Sequence, residues 1–161
     1  MIKIRKAVAA DFDAIWPIFH QVVQQGDSYT FDPETTREQA YLIWMVGDLT
    51  TFVASINDEI VGTYIIKANQ PGLGSHVANA GYMVSTGARG KGVGRAMCEH
   101  SLDEARKMGF RAMQFNIVVR TNESAVALWK KFGFSIVGTL PQAFRHRDFG
   151  LVDAYVMHRF I

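Results

Sequence analysis

A single cysteine, Cys98, stands in a chain of 161 residues. It cannot close an internal disulfide and has no Cys/His cluster around it, which excludes a disulfide scaffold and a cysteine-based zinc site and points to a cytoplasmic setting. Its natural place is the core, as a small apolar residue. The histidines, His20, His76, His100, His146 and His158, show no H-x-x-x-H repeat, so no metal site is expected. Long apolar runs are also missing. No stretch approaches ~20 apolar residues, and the opening MIKIRKAVAADFDAIW holds no signal-peptide core, so a soluble protein with no membrane partner is expected. Neither sign of charge dominates. The 17 Lys and Arg against 15 Asp and Glu leave +2, and the bases are scattered except at Arg89, Lys91 and Arg95, which argues against general nucleic-acid binding.

What is present is enough apolar residue, 48%, to fill one continuous core, so residues 1–161 are read as one domain. Ile2, Ile4 and Lys6 alternate with Lys3 and Arg5 as a short strand, and Ala9 to Gln25 carries apolar residues at helical spacing. Thr35 and Glu38 have the spacing of a capping box for a second helix through Ala40 to Val46. Thr51 to Ile56 and Ile60 to Ala68 are β-branched runs parted by Asn57-Asp58-Glu59, a hairpin pattern. Val77 to Val84 is a further strand, and Gly92 to Met108 a helix stopped by Gly109. A strand Arg111 to Val119, a helix Asn122 to Phe132 ending at Gly133, and strands Phe134 to Thr139 and Val152 to Phe160 complete the chain. The order β-α-α-β-β-β-α-β-α-β-β makes the fold class α+β, or mixed α/β, with a mostly antiparallel central sheet flanked by helices. Met83, Met97, Met108 and Met113 are read as core.

Gly90, Gly92 and Gly94 follow a strand and open a helix, where unpaired N–H groups and the positive end of the helix dipole attract anions. With Arg89, Lys91 and Arg95 beside them, they form a candidate diphosphate cradle; the plain alternative is a flexible turn. The G-x-G-x-G spacing is not the G-x-G-x-x-G of a dinucleotide fold, and no Gly-Lys-Ser/Thr of a P-loop occurs, so neither a dehydrogenase nor a kinase is supported.

The run Arg89-Gly-Lys-Gly92-Val-Gly94, placed after the strand Gly81-Tyr82-Met83-Val84, resembles the Q/R-x-x-G-x-G/A motif of the GNAT superfamily of N-acetyltransferases. Downstream, Asn122-Glu-Ser-Ala125-Val-Ala-Leu128-Trp129-Lys-Lys-Phe-Gly133-Phe134 is similar to that family's second signature, N-x-x-A-x-x-L-Y/W-x-x-x-G-F. The resemblance implies an acetyl-CoA-dependent enzyme that needs no metal, acts on the amine of a small molecule by direct attack on the thioester, and is compatible with a homodimer. By position, the backbone of Tyr82, Met83 and Val84 would pair with the pantetheine arm, with an N–H near Val84 on the thioester carbonyl. The amides of Arg89, Gly90, Lys91, Gly92, Val93, Gly94 and Arg95 would hold the pyrophosphate. Asn122 and Ser124 would sit at the sulfur end, with Val84 forming the catalytic set, although Asn122 is equally a good helix N-cap.

The tyrosine that many GNAT enzymes use as proton donor is replaced by Trp129, whose indole N–H has no useful acidity. Trp129 is therefore read as a wall of the cofactor site. A thiol of ordinary pKa, about 8.5, is a tolerable leaving group without a strong acid. The stretch from Gly138 to Met157 is similar to the fungal N-acetyltransferases of the proline analogue azetidine-2-carboxylate, and that similarity brings Asn79 and Asn116 forward as acceptor contacts. Asn116 lies in the apolar run Met113-Gln-Phe-Asn-Ile-Val-Val, where an amide needs a partner, so a structural role stands beside the substrate-binding one. Tyr29, Phe31 and Glu34 precede the second helix, where they either border the acceptor together with Tyr82 or pack their own loop. His146, between Arg145 and Arg147, reads as a surface residue with a base role as the alternative. Two other functions remain in view: a protein or peptide N-acetyltransferase, and a non-catalytic acyl-CoA-binding module.

Overall fold

The computed structural model describes residues 1–161. Strands β1 (Ile2–Lys6), β2 (Thr50–Ile56), β3 (Glu59–Ala68), β4 (Val77–Val84), β5 (Ala112–Val119), β6 (Ser135–His146) and β7 (Gly150–Phe160) form one sheet in the order β1-β2-β3-β4-β5-β7-β6. Helices α1 (Phe12–Gln25), α2 (Arg37–Trp44), α3 (Val93–Lys107) and α4 (Glu123–Lys131) cover its two faces. Every neighbouring pair is antiparallel except β4–β5. The mixed, mostly antiparallel class expected from the element order is the one observed. No helix is long and apolar enough to cross a membrane.

Alternation along the strands divides the core in two. Ala78 and Ala80 of β4 and Met113 and Phe115 of β5 join Val93, Met97, Cys98 and Leu102 of α3 on one face. Met83 of β4 and Ile65 of β3 join Phe12, Ile15, Phe19 and Trp44 on the other. Trp44 is fully buried, and its indole Nε1 donates to Thr63 Oγ1 at 2.9 Å while Thr63 donates to Phe52 O at 2.8 Å. The polar tip of the largest side chain on that face is thereby satisfied inside the sheet.

Local signals shift in a few places. The first helical segment begins as a 3-10 turn, Ala9–Asp11, because the Asp11 carboxylate accepts from Val8 N at 2.7 Å and from Arg5. The capping box falls one residue later than its expected position. Thr36 Oγ1 accepts from Gln39 N at 3.2 Å and Gln39 Oε1 from Thr36 N at 2.9 Å, while Thr35 is turned back to Asp32. α2 then ends at Trp44 rather than Val46. Asn57 and Asp58, both at positive φ, make the β2–β3 turn. Met108 is 40% exposed, not core, because it is the C-cap of α3, past the last residue of the apolar face. The largest departure is β6, which runs on to His146 instead of stopping at Thr139. Its register with β7 shifts between Leu140 and Phe144, so that Pro141 and Gln142 sit in a bulge where proline needs no ladder partner.

Gly62 lies in β3 where a Cβ would stand 2.8 Å from Val93 Cγ1 and 3.1 Å from Met97 Cε. Gly62→Ala is expected to lower stability by about 1–3 kcal/mol through overpacking, read as a reduced urea midpoint. Burial pushes the Cys98 thiol up to about 12, so Cys98 should stay unreactive toward a thiol reagent at pH 8 until denaturant is added; fast labelling of the native protein would contradict the packing described.

Candidate active site

β4 and β5 pair only at Val77–Ala112 and Ala78–Met113. Beyond them the strands part, and a cavity of 1070 Å³ opens in the split. At the point of parting, Asn79 Nδ2 donates to Gln114 O at 3.0 Å, so a side chain takes the carbonyl at which the ladder would have continued. On the other side of β4, Asn69 N donates to Val77 O and Ser85 N to Val61 O, which fixes the alternation: odd-numbered residues turn their backbone groups to β3. Ala80, Tyr82 and Val84 therefore turn theirs to the split. Met83 does not, since its backbone belongs to the β3 ladder opposite Thr63 and its side chain to the core. Of the three residues expected to pair with an extended arm, Tyr82 and Val84 have the necessary direction. The Tyr82 carbonyl already accepts from Tyr29 Oη at 2.8 Å.

At the far end of the split lies the glycine segment. Gly90 and Gly92 have φ of 76° and 80°, and a Cβ on either would meet nothing within 4 Å, so these positions demand glycine for backbone conformation and leave open space in front. The first helical bond of α3 runs from Ala96 N to Gly92 O, leaving the amides of Gly92, Val93, Gly94 and Arg95 without backbone acceptors. No acidic side chain occupies the first turn, and Gly92 caps it without a side chain. The positive end of the dipole thus faces the cavity unneutralised, with Arg89 and Arg95 in its lining and Lys91 exposed outside it. This loop is moored to α1: Gln21 Oε1 accepts from Thr86 N at 3.1 Å, and Gln25 Oε1 accepts from Arg89.

Across the split, Asn122 is the N-cap of α4, its Oδ1 accepting from Ala125 N at 3.4 Å and from Ser124 Oγ at 3.3 Å. Both residues line the cavity. Trp129 packs against Tyr82 (5.0 Å between centroids) and Phe115 (4.8 Å) and forms a wall. The phenols nearby are poor acids. Burial holds Tyr82 and Tyr29 well above the ordinary phenol value, and their hydroxyls are committed, Tyr82 to Ser101 Oγ at 2.7 Å and Tyr29 to the Tyr82 carbonyl.

The segment after α1 lines the cavity beside β4. Tyr29 and Phe31 stack at 5.7 Å with an interplanar angle of 7° and line the cavity; Glu34 is exposed, its N–H bonded to Asp32, and lies outside the lining. Tyr29 explains Gly81, where a Cβ would stand 3.1 Å from the Tyr29 hydroxyl. Asn116 is exposed to the cavity rather than enclosed in its apolar strand, because a bulge between Phe115 and Val118 swings it off the β7 ladder. Its Nδ2 donates to Asn69 Oδ1 at 2.7 Å and its Oδ1 accepts from Gln114 Nε2 at 3.0 Å. Asn79 and Asn116 thus line one cavity, each with a structural partner. His146, expected at the surface, is 7% exposed and lines the same cavity. Its place was hidden in the sequence because it depends on the extension of β6 past Pro141.

Comparison with known proteins agrees with this geometry. N-acetyltransferase aca1 of Schizosaccharomyces pombe is 30% identical over 151 residues, spanning 83% of this chain and 72% of that one. L-amino acid N-acetyltransferase AaaT of Escherichia coli is 28% identical over 164 residues, 98% of this chain and 97% of that one. A GCN5-related N-acetyltransferase from Kribbella flavida superposes with a TM-score of 0.95 at 46% identity over 99% of this chain and 98% of that one. The fold also recurs, with a TM-score of 0.87 at 21% identity over 99% and 88% of the two chains, in a phosphinothricin acetyltransferase from Sinorhizobium meliloti solved in complex with AcCoA. Residues 12–134, from the start of α1 through the glycine segment and α4, match the acetyltransferase (GNAT) family, and the chain belongs to it.

Proposed function

We propose that this protein transfers the acetyl group of acetyl-CoA to the amino group of a small molecule, within the class of amino acids and proline analogues. The observation that carries the cofactor reading is the open edge of β4 leading into the unneutralised N-terminus of α3. A free strand edge suits an amide-bearing arm, and four unpaired amides with Arg89 and Arg95 suit a diphosphate. When bound there, acetyl-CoA supplies an activated acetyl thioester. Val84 N–H, turned into the split, is the donor we assign to the thioester carbonyl, where oxyanion charge develops. Asn122 Nδ2 has no partner within the protein and is free to reach the sulfur end, with the Ser124 hydroxyl beside it. Trp129, Tyr82 and Phe115 exclude water along one wall. No acidic phenol is needed, because a thiolate leaves readily at a thiol pKa of about 8.5.

The acceptor side is supported by the relatives named as L-amino acid and phosphinothricin acetyltransferases, and by the part of the cavity lining formed by Tyr29, Phe31, Asn79 and Asn116. A cytoplasmic homodimer is the form we assign to the working enzyme. The deciding experiment is a panel of amino acids, proline analogues, simple amines and peptides incubated with acetyl-CoA, with released thiol and product mass recorded. Turnover confined to peptides would overturn the small-molecule reading. Tight acetyl-CoA binding with no turnover would leave an acyl-CoA-binding module, to which Trp129 in the tyrosine position lends support.

Two variants test the parts separately. Arg95→Glu places an acid in the first turn of α3, which should hold or raise helix stability by about 0.3–1 kcal/mol while opposing an anion. The melting temperature should be kept and acetyl-CoA affinity, by calorimetry, should fall by about tenfold or more; unchanged affinity would place the diphosphate elsewhere. Asn116→Ala should lower turnover without loss of folding, whereas Asn79→Ala should lower turnover and also cost about 1 kcal/mol, since its bond to Gln114 O closes the strand pairing. Full activity in both would remove the asparagines from the acceptor site.

A further inference from the structure

Of the five histidines only His146 is buried. It ends β6, and its Nδ1 accepts from Asp148 N at 3.0 Å and Phe149 N at 3.3 Å, so the ring caps the turn that leads into β7. Both bonds use the Nδ1 lone pair, which puts the ring proton on Nε2. That assignment removes the base role: the ring offers a donor, and its only lone pair is taken. Nε2 has no partner in the protein, yet no buried side-chain nitrogen or oxygen is left unpaired, so Nε2 opens to space, and the space His146 lines is the cavity. The ring is clamped by Phe149, stacked at 4.6 Å. The turn is fastened by Arg147 N to Gly26 O at 2.9 Å, at the point where the Asp27–Phe31 segment of the cavity wall begins.

The cavity lining carries one carboxylate, Asp27, against Lys67, Arg89, Arg95 and Lys131, and Lys67 stands opposite Asn79 on β3. We propose that His146 Nε2–H is a fixed donor to the carboxylate of the acceptor, which makes the acceptor a zwitterionic amino acid rather than a plain amine or a peptide amino terminus. This rests on the acetyl-transfer reading above. A pre-positioned donor whose tautomer is set by its own turn binds an oxyanion at little entropic cost, whereas a carboxamide offers it only a weaker neutral acceptor and a plain amine offers none.

Steady-state kinetics at saturating acetyl-CoA, with matched pairs of an amino acid and its carboxamide, test this. The unmodified protein should favour the acid by about tenfold or more in kcat/KM, and His146→Ala should raise KM for the acid by a similar factor while KM for the carboxamide stays within about twofold. Acetyl-CoA titration and thermal melting on each protein show that the fold and cofactor site persist. If His146→Ala does not fold, NMR of the unmodified protein with isotope-labelled histidine, bound to CoA, gives the answer. The Nε2 resonance of His146, identified by its loss in His146→Gln, should move clearly further on adding the acid than on adding the carboxamide. Equal effects on both partners, a preference for the carboxamide, or an unmoved resonance would overturn the proposal. Absence of acetyl transfer to any amine would instead overturn the function on which it rests.

Discussion

The parting of β4 from β5 after two residue pairs is the constraint on which the rest of the site depends. A parallel pair that continued would seal both strand edges and leave no interior space. Because it stops, β4 keeps the backbone of Tyr82 and Val84 out of the ladder, with only the Tyr82 carbonyl taken by Tyr29, and β5 is free to bulge and present Asn116. The split needs support, since unpaired strands in a core are costly. Trp129 and Phe115 wedge it from the α4 side, Tyr29 takes the Tyr82 carbonyl from the α1 side, and Asn79 closes the last rung with its side chain. Each support is also a wall of the cavity, so stability and site geometry are carried by the same side chains.

The glycine segment divides its labour differently. Its stability is supplied from outside, by Gln21 and Gln25 of α1, and its own first turn contains none of the acidic residues that would ordinarily offset the helix dipole. α3 therefore bears an uncompensated positive end, a small loss of helix stability that leaves the end available to an anion. The 15-residue helix tolerates this because Val93, Met97, Cys98, Leu102 and Ala105 anchor its apolar face.

Much of this was readable in the sequence because it rests on local rules. Glycines at positive φ, Asn122 as an N-cap, the Asn57-Asp58 turn and the alternation of β4 are set by backbone sterics and nearest neighbours, and each fell where the residues indicated. What the sequence concealed depends on contacts between distant segments. Asn116 reads as an amide trapped in an apolar strand until the bulge against β7 is known. Met108 fits the helical period, yet the period continues one step beyond the face that is covered. His146 is flanked by two arginines and reads as surface; only the continuation of β6 through Pro141, where Gln142 N donates to Asp153 Oδ1 at 2.9 Å, brings it under cover. The direction of the Met83 backbone likewise follows from strand register, which no run of residues within β4 specifies.

The C-terminal end of α1 holds two separate parts of this arrangement. Its last turn holds the glycine loop through Gln21 and Gln25, and the Gly26 carbonyl just past it holds the β6–β7 turn through Arg147 N. The two ends of the cavity are thus hung from one strut. The attachments all fall between Gln21 and Gly26, little more than one helical turn, so the glycine loop and the β6–β7 turn share one anchor and a change in that turn is felt at both.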